Sequence, residues 1–425
     1  GSGATPYRVT VSEKDDGYKC TCPSRKFPCK HSLALMWMRS EGKTAFAKGQ
    51  APEWVLDWVK RRRSAAGSNT RTAPESEPGE VKSIAQALAA VDEPPDPKAE
   101  ARAAAAREKN RREREEAILA GLDDLDLWLE DQIAAGLAGF ATRAANACRL
   151  ISQRLVDAKA PGLASRVEAL PGRLFALSER QRGPAAVEEL GQLHLLTEAY
   201  RHQQKLPVAL QADVRREIGW AQSREALLDD PAAICATGRL RVVATLSEVQ
   251  PDRLRRLETW LWREGPSEGA RFAVLVDYVP VATGPARSPY SLGERLEATL
   301  VYYPSPVPLR AQLATVAVPA HACTEPLIFE DGLGGQLDAY EHALSAKPWL
   351  GAWPIGFRGA RMQRNGERLF VCEAGGPVAL PLASAQTTKA APLLSLDRFD
   401  GVGLWNGYSL RLGLAQTELG RWEDA

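Results

Sequence analysis

The sequence predicts a multi-domain α+β chain: a small N-terminal ββαα unit, a central α-helical region and a C-terminal, mainly antiparallel β region. Three observations carry this expectation. Four metal-ligating side chains crowd into residues 20–31, an apolar stripe of helical period begins at Ile118, and short β-favouring runs dominate after residue 235. The 425 residues also exceed one ordinary core, since domains usually run to about 100–200 residues.

The elements follow in order. "YRVTV" at 7–11 alternates apolar and polar as a strand does, and "DDG" at 15–17 is a turn signal, so a hairpin is expected to lead into the cysteines. "HSLALMWMRSEG" reads as a short helix stopped by Gly42, and "PEWVLDWVKRRR" as a second opening on Pro52. These make domain 1–63. Residues 64–97 are rich in Pro, Ser, Gly and Glu around one short helical pattern, "VKSIAQALAAV", and read as a flexible linker.

An α-helical domain is expected over 98–230. Its first helix, about 98–138, starts as a solvated Ala/Arg/Glu run and then sets Ile118, Leu122, Leu125, Leu129 and Ile133 on one face. Further helical patterns, "ATRAANACRLISQRLVDA", "LASRVEAL", "AAVEELGQLHLLTEAYRHQQ" and "VALQADVRREIGWA", are punctuated by "APG", "LPG" and "LP". The β-rich domain, 231–425, contains runs such as "RLRVVATL", "RFAVLVDYVPV" and "RLFVCEA". Asn365-Gly366 and Asn406-Gly407 are read as two-residue hairpin turns, and "GQLDAYEHALSAK" as one helix.

Composition narrows the classes. Hydrophobic residues make up 44% and charged residues 25%, and no apolar run approaches the ~18 residues of a membrane span. Seven cysteines spread over a long chain do not read as a disulfide framework, and no basic-then-apolar signal opens the sequence, so the cytoplasm is the expected compartment. The opening "GSGATPY" lacks a methionine, which leaves room for an upstream segment or a removed targeting signal. Charge is uneven: residues 1–73 hold 14 Lys/Arg against 6 Asp/Glu, and the rest 40 against 47. A net +8 at one end points to an anionic partner.

Cys20, Cys22, Cys29 and His31 follow C-x-C-x6-C-x-H. Three thiolates and one imidazole form a closed tetrahedral set for zinc, with no open position for water. A single Zn2+ held this way stabilises a fold and does not hydrolyse a substrate. In a unit of about 60 residues it would supply much of the folding free energy, on the order of 10 kcal/mol apparent. The alternative, four free thiols and imidazoles in a loop, requires two one-residue gaps to fall together by chance.

This pattern, with a hairpin before the first cysteine and a helix opening at the histidine, resembles the SWIM zinc finger. Beyond it, "CPSRKFPCKHSLAL", "LVDAKAPGLA", "LPVALQADVR", "ETWLWRE" and "FAVLVDY" resemble the large bacterial SWIM zinc finger family proteins, and "GSGATPY" is similar to that family's lead-in. The resemblance implies zinc on Cys20, Cys22, Cys29 and His31 and assigns nothing catalytic. Family members tend to be encoded near MoxR-type AAA+ ATPases and von Willebrand A-domain proteins, which implies an adaptor role. SWIM domains in general are thought to bind DNA or proteins.

Other patterns are weaker. "EGKTA" at 41–45 lacks the first glycine of a P-loop, which Trp37 replaces. His194, Glu198 and His202 share a helical spacing but one face with one carboxylate is ordinarily structural. Isolated Cys148, Cys235, Cys323 and Cys372 read as small core residues, and His321 with Cys323 lacks an orienting carboxylate. Trp260, Trp262, Trp349, Trp353 and Trp405 read as core or interface anchors. With no HExxH, GxSxG or Rossmann glycine pattern, a non-catalytic protein is expected. Two functions compete. One is a zinc-folded adaptor for protein partners. The other is nucleic-acid binding through Lys19, Arg25, Lys26, Lys30, Arg39, Lys60, Arg61, Arg62 and Arg63, although the last four also suit the C-terminal dipole of a solvated helix.

Overall fold

In the computed structural model, strand β1 (Val9–Ser12) runs antiparallel to β2 (Gly17–Cys20), with Val9 opposite Cys20 and Ser12 opposite Gly17. Helix α1 (Lys30–Glu41) follows, and residues 54–56 and 58–59 are helical. The structure describes residues 7–12, 17–21, 29–41, 46, 51–52, 54–56, 58–59, 97–137, 139–250, 253–265, 269–284, 286–329 and 332–424. The "VKSIAQALAAV" pattern and most of "EGKTA" lie outside them. The chain divides into two units, Gly1–Pro95 and Asp96–Ala425. Among the described residues no helix is long and apolar enough to cross a membrane.

In the second unit, α2 (Pro97–Ala134) is exposed from Ala104 to Glu113, where Arg111 pairs with Glu108 at 2.8 Å. From Ile118 onward its stripe turns inward: Ile118, Leu122 and Leu125 are fully buried and Leu129 nearly so. Ile133, the fifth expected member, is exposed, because α2 ends one residue later. Helices α3 (Phe140–Asp157), α4 (Pro161–Phe175), α5 (Glu179–Arg201) and α6 (Val208–Ile218) close the bundle core through Phe140, Ile151, Leu170, Leu193, Tyr200 and Val214. The expected break at "LPG" does not occur. Pro171 sits inside α4, and burial of Val167, Leu170 and Leu174 offsets the lost backbone bond.

After the short α7 (Arg224–Leu228), capped by the Ser223 side chain accepting from the Ala226 amide, come β3 (Cys235–Val249), β4 (Leu254–Arg263), β5 (Phe272–Pro280), β6 (Glu294–Tyr302) and β7 (Ala311–Ala322). They form an antiparallel sheet in the order β5-β4-β3-β6-β7. Its edges meet: Val274 bridges Arg310 in parallel, and the Val274 amide donates to the Leu309 carbonyl at 2.8 Å. The sheet is therefore a partly closed barrel. The bent, bulged β3 pairs with β6 through its first half and with β4 through its second. Leu240, Val242, Leu261, Leu275, Leu296 and Leu300 form its core.

A second antiparallel sheet follows, built from β8 (Trp353–Asn365), β9 (Arg368–Cys372), β10 (Ala379–Pro381), β11 (Phe399–Trp405), β12 (Leu410–Thr417) and β13 (Gly420–Glu423), in the order β10-β9-β8-β11-β12-β13. One face is covered by the expected helix, α8 (Leu333–Ala346), through Leu333 and Tyr340. The other face packs on the barrel, where Trp260 and Trp262 meet Phe329, Val402 and Leu414. Gly413 permits this approach, since a Cβ there would stand 2.4 Å from the Val243 carbonyl oxygen. The turn expected at Asn365-Gly366 sits one residue later, because Asn365 pairs with Arg368 and Gly366 takes φ +59 at the first loop position. The Asn406-Gly407 connection spans four residues, because the Asn406 side chain accepts from the Tyr408 and Ser409 amides.

The bundle and the β part share side chains. Trp349 is buried in the bundle core, where its indole Nε1 donates to Asp213 Oδ2 at 3.0 Å and its carbonyl accepts from Arg166. Asp213 is fully buried and also pairs with Lys347 and Arg216.

Candidate metal centre

The hairpin and α1 bring the expected ligands together from two sides. Beyond the last register pair, the Thr21 amide donates to the Arg8 carbonyl at 3.1 Å and the Arg8 amide to Thr21 Oγ1 at 2.9 Å, which holds the end of β2 where Cys20 stands. Cys29 precedes α1, and its carbonyl accepts from the Leu33 amide at 3.0 Å, so its thiol lies at the helix N-terminus. That position favours a thiolate, because the dipole end is positive. His31 follows inside the first turn.

Cys20 Sγ, Cys29 Sγ and a ring nitrogen of His31 all lie within 4.8 Å of one another, and Cys20 Sγ stands 3.9 Å from His31 Nδ1. Zn–S bonds of about 2.3 Å and Zn–N bonds of about 2.0–2.1 Å at tetrahedral angles put such atoms roughly 3.6–3.8 Å apart. The donor chemistry and spacing thus fit zinc. Cys22 lies outside the described residues. No other group of three His, Cys, Asp or Glu converges among the described residues.

Two supporting contacts carry no sequence signature. Ser32 Oγ is 3.4 Å from Cys29 Sγ, with both residues almost fully buried. The Tyr7 ring lies 5.2 Å from the His31 ring and fixes one side of the imidazole. A hydroxyl three residues after a cysteine and a tyrosine opening a strand were visible in the sequence, but only the fold gives them this role.

Comparison with protein-family models places the centre in context. Residues 7–40 match the SWIM zinc finger. A second match, over residues 113–218, is to the SWIM-associated four-helix bundle domain. The SWIM finger match spans all four expected ligands, and the bundle match runs from the middle of α2 to the end of α6. Both end before the barrel. Comparison with curated proteins and with solved structures gives no match.

The remaining sequence candidates do not assemble. His194 Nδ1 faces Asp126 at 3.7 Å, Glu198 pairs with Arg201 at 2.9 Å, and His202 caps the end of α5. Burial pushes the Cys148 thiol up to about 12 and raises that of Cys372. His321 Nδ1 lies 3.1 Å from the Pro319 carbonyl, and the Cys323 carbonyl accepts from Arg241 at 3.3 Å. Trp260, Trp262, Trp349 and Trp405 are buried and Trp353 is half-buried. Of the basic candidates, Lys19, Lys30 and Arg39 are exposed, while Arg25, Lys26, Lys60, Arg61, Arg62 and Arg63 lie outside the described residues.

Proposed function

We propose that the chain is a non-catalytic adaptor whose SWIM finger is folded by one Zn2+, held by Cys20, Cys29 and His31 with Cys22 as the fourth ligand, and whose partners are a MoxR-type AAA+ ATPase and a von Willebrand A-domain protein. When bound, the metal would join hairpin and helix; all four positions would be filled by protein, so water is excluded from it. The observation that favours a protein partner is the outer face of α1, where Leu33, Trp37 and Met38 are 51%, 67% and 44% exposed. Large apolar side chains at this spacing along one helix suit a groove on another protein. Co-expression of the full chain with such an ATPase, followed by sedimentation, tests the reading. A complex formed by the wild type and lost in Trp37→Ala supports it, and failure of the zinc-loaded wild type to bind refutes it.

Nucleic-acid binding by the finger is the second reading, favoured by the net +8 of residues 1–73 and by exposed Lys19 and Lys30. Neutralising about five phosphates would give duplex binding a log–log salt slope of roughly −4.5.

A further inference from the structure

Among the described residues of the second unit, the half-buried Arg310 has no counter-ion. Arg310 ends the β6–β7 connection, and its guanidinium lies 4.7 Å from the Tyr303 ring centroid, with Arg216 of α6 5.8 Å from the same ring. Arg216 pairs with Asp213, and Arg256 of β4 with Glu258 at 2.7 Å. Arg310 has no ion pair among the described residues, and its buried Nε has no hydrogen-bond partner. Burial depresses its pKa, the Tyr303 and Tyr278 hydroxyls act against that, and Arg216 and Arg256 push it further down. A guanidinium remains charged regardless. A half-buried guanidinium with two further guanidiniums acting on it favours an anionic ligand.

Tyr278 supplies the second element. It stands on β5 directly opposite Arg256, and it is 51% exposed. An open aromatic ring beside an uncompensated cation matches a base and its phosphate. The topology agrees. Numbered within the barrel, the strands close in the order 1-2-3-5-4, with the third and fifth parallel. This is the connectivity of OB-type barrels, which receive oligonucleotides on the face of strands 2 and 3 and on the loops between strands 1–2 and 4–5. Here those places are the outer face of β4–β5 and the connection ending at Arg310. Most of that face is covered by the second sheet through Trp260 and Trp262. Among the described residues of that face, only the end carrying Arg256 and Tyr278 is open, which limits the footprint to one or two nucleotides.

We propose that this open end of the barrel binds a nucleotide unit, with a phosphate on Arg310 and the base stacked on Tyr278. The test is fluorescence anisotropy of the full chain with a labelled short oligothymidylate between about 50 and 200 mM salt. Tyr278→Ala is expected to weaken binding about tenfold with the salt slope unchanged. Arg310→Gln weakens it and makes the slope shallower by about 0.7. Cys29→Ser leaves it intact, which separates the barrel from the finger. Displacement by adenosine monophosphate identifies a free nucleotide as sufficient, and its failure to displace identifies a strand as the required form. Absence of binding, equal binding by Tyr278→Ala, or loss in Cys29→Ser alone would overturn the assignment. Because Tyr278 is half exposed, its variant keeps the test decisive even where Arg310→Gln fails to fold.

Discussion

The first unit and the second reach stability by different routes. Among the described residues of the finger only Cys29 and Ser32 are buried, and Leu33, Trp37, Met38 and Leu56 are exposed. The second unit buries a bundle core, a barrel core and a sheet-to-sheet core. At about 25 cal/mol per Å² of apolar surface, cores of that size can offset chain entropy by themselves. The described residues of the finger bury too little apolar surface to do so, and Cys20, Cys29 and His31 stand where a metal would join hairpin to helix. With zinc on those side chains, apolar packing and metal coordination would divide the work by region.

Chelation should therefore separate the units most sharply. With zinc removed, or in Cys29→Ser, the finger loses on the order of 10 kcal/mol. Hydrogen exchange should show β1, β2 and α1 losing protection while the helices and strands of the second unit keep theirs. Parallel loss in both would break the comparison.

The next largest effect lies in the second unit alone. Asp213→Ala leaves Arg216 and Lys347 without their shared carboxylate and costs about 3–5 kcal/mol. A fall in Tm of roughly 5–10 °C is expected, with zinc content unchanged.

Alkaline pH gives a smaller effect. Burial raises Cys148, Tyr200, Tyr302 and Tyr340 each to about 12, from ordinary values of 9.0 for the thiol and 10.0 for the phenols. The folded pKa exceeds the unfolded one, so these groups contribute fully below pH 9. Their contribution falls as pH rises toward 12, because the unfolded chain loses the protons first. Each group adds at most about 1.4 kcal/mol per pH unit to that decline. Thermal melts between pH 8 and 11 should show the second unit weakening steadily above pH 9.

Trp37→Ala should produce the smallest change in stability, within about 0.5 kcal/mol, since the side chain is 67% exposed. The same variant should abolish partner capture. A large loss of zinc affinity instead would place Trp37 in the finger's structure and sharpen the comparison at its weaker side.

Local patterns were readable in the sequence and long-range ones were not. The spacing of Cys20, Cys29 and His31 identified a donor set because a metal imposes fixed geometry on short segments. The Ile118–Leu129 stripe located α2 because helical period and burial coincide there. Pro171 misled, since a helix whose inner face is fully packed tolerates one missing donor. The hairpin at Asn406 misled because its side chain builds an additional turn. Closure of the barrel through Val274 and Arg310, and the meeting of Asp213 with Trp349, join residues far apart in sequence. No periodicity announces such pairs.

Trp349 also bears on modularity. The family match ends at residue 218, yet the core it encloses is completed by an indole from the β half of the chain. A fragment cut at that boundary would carry an indole-sized hole lined by apolar side chains, with the Asp213 carboxylate facing it and Lys347 gone. The bundle is a recognisable module of sequence, but in this chain it is not an independent module of inheritance: recombination that separated it from the strands downstream would deliver neither half intact.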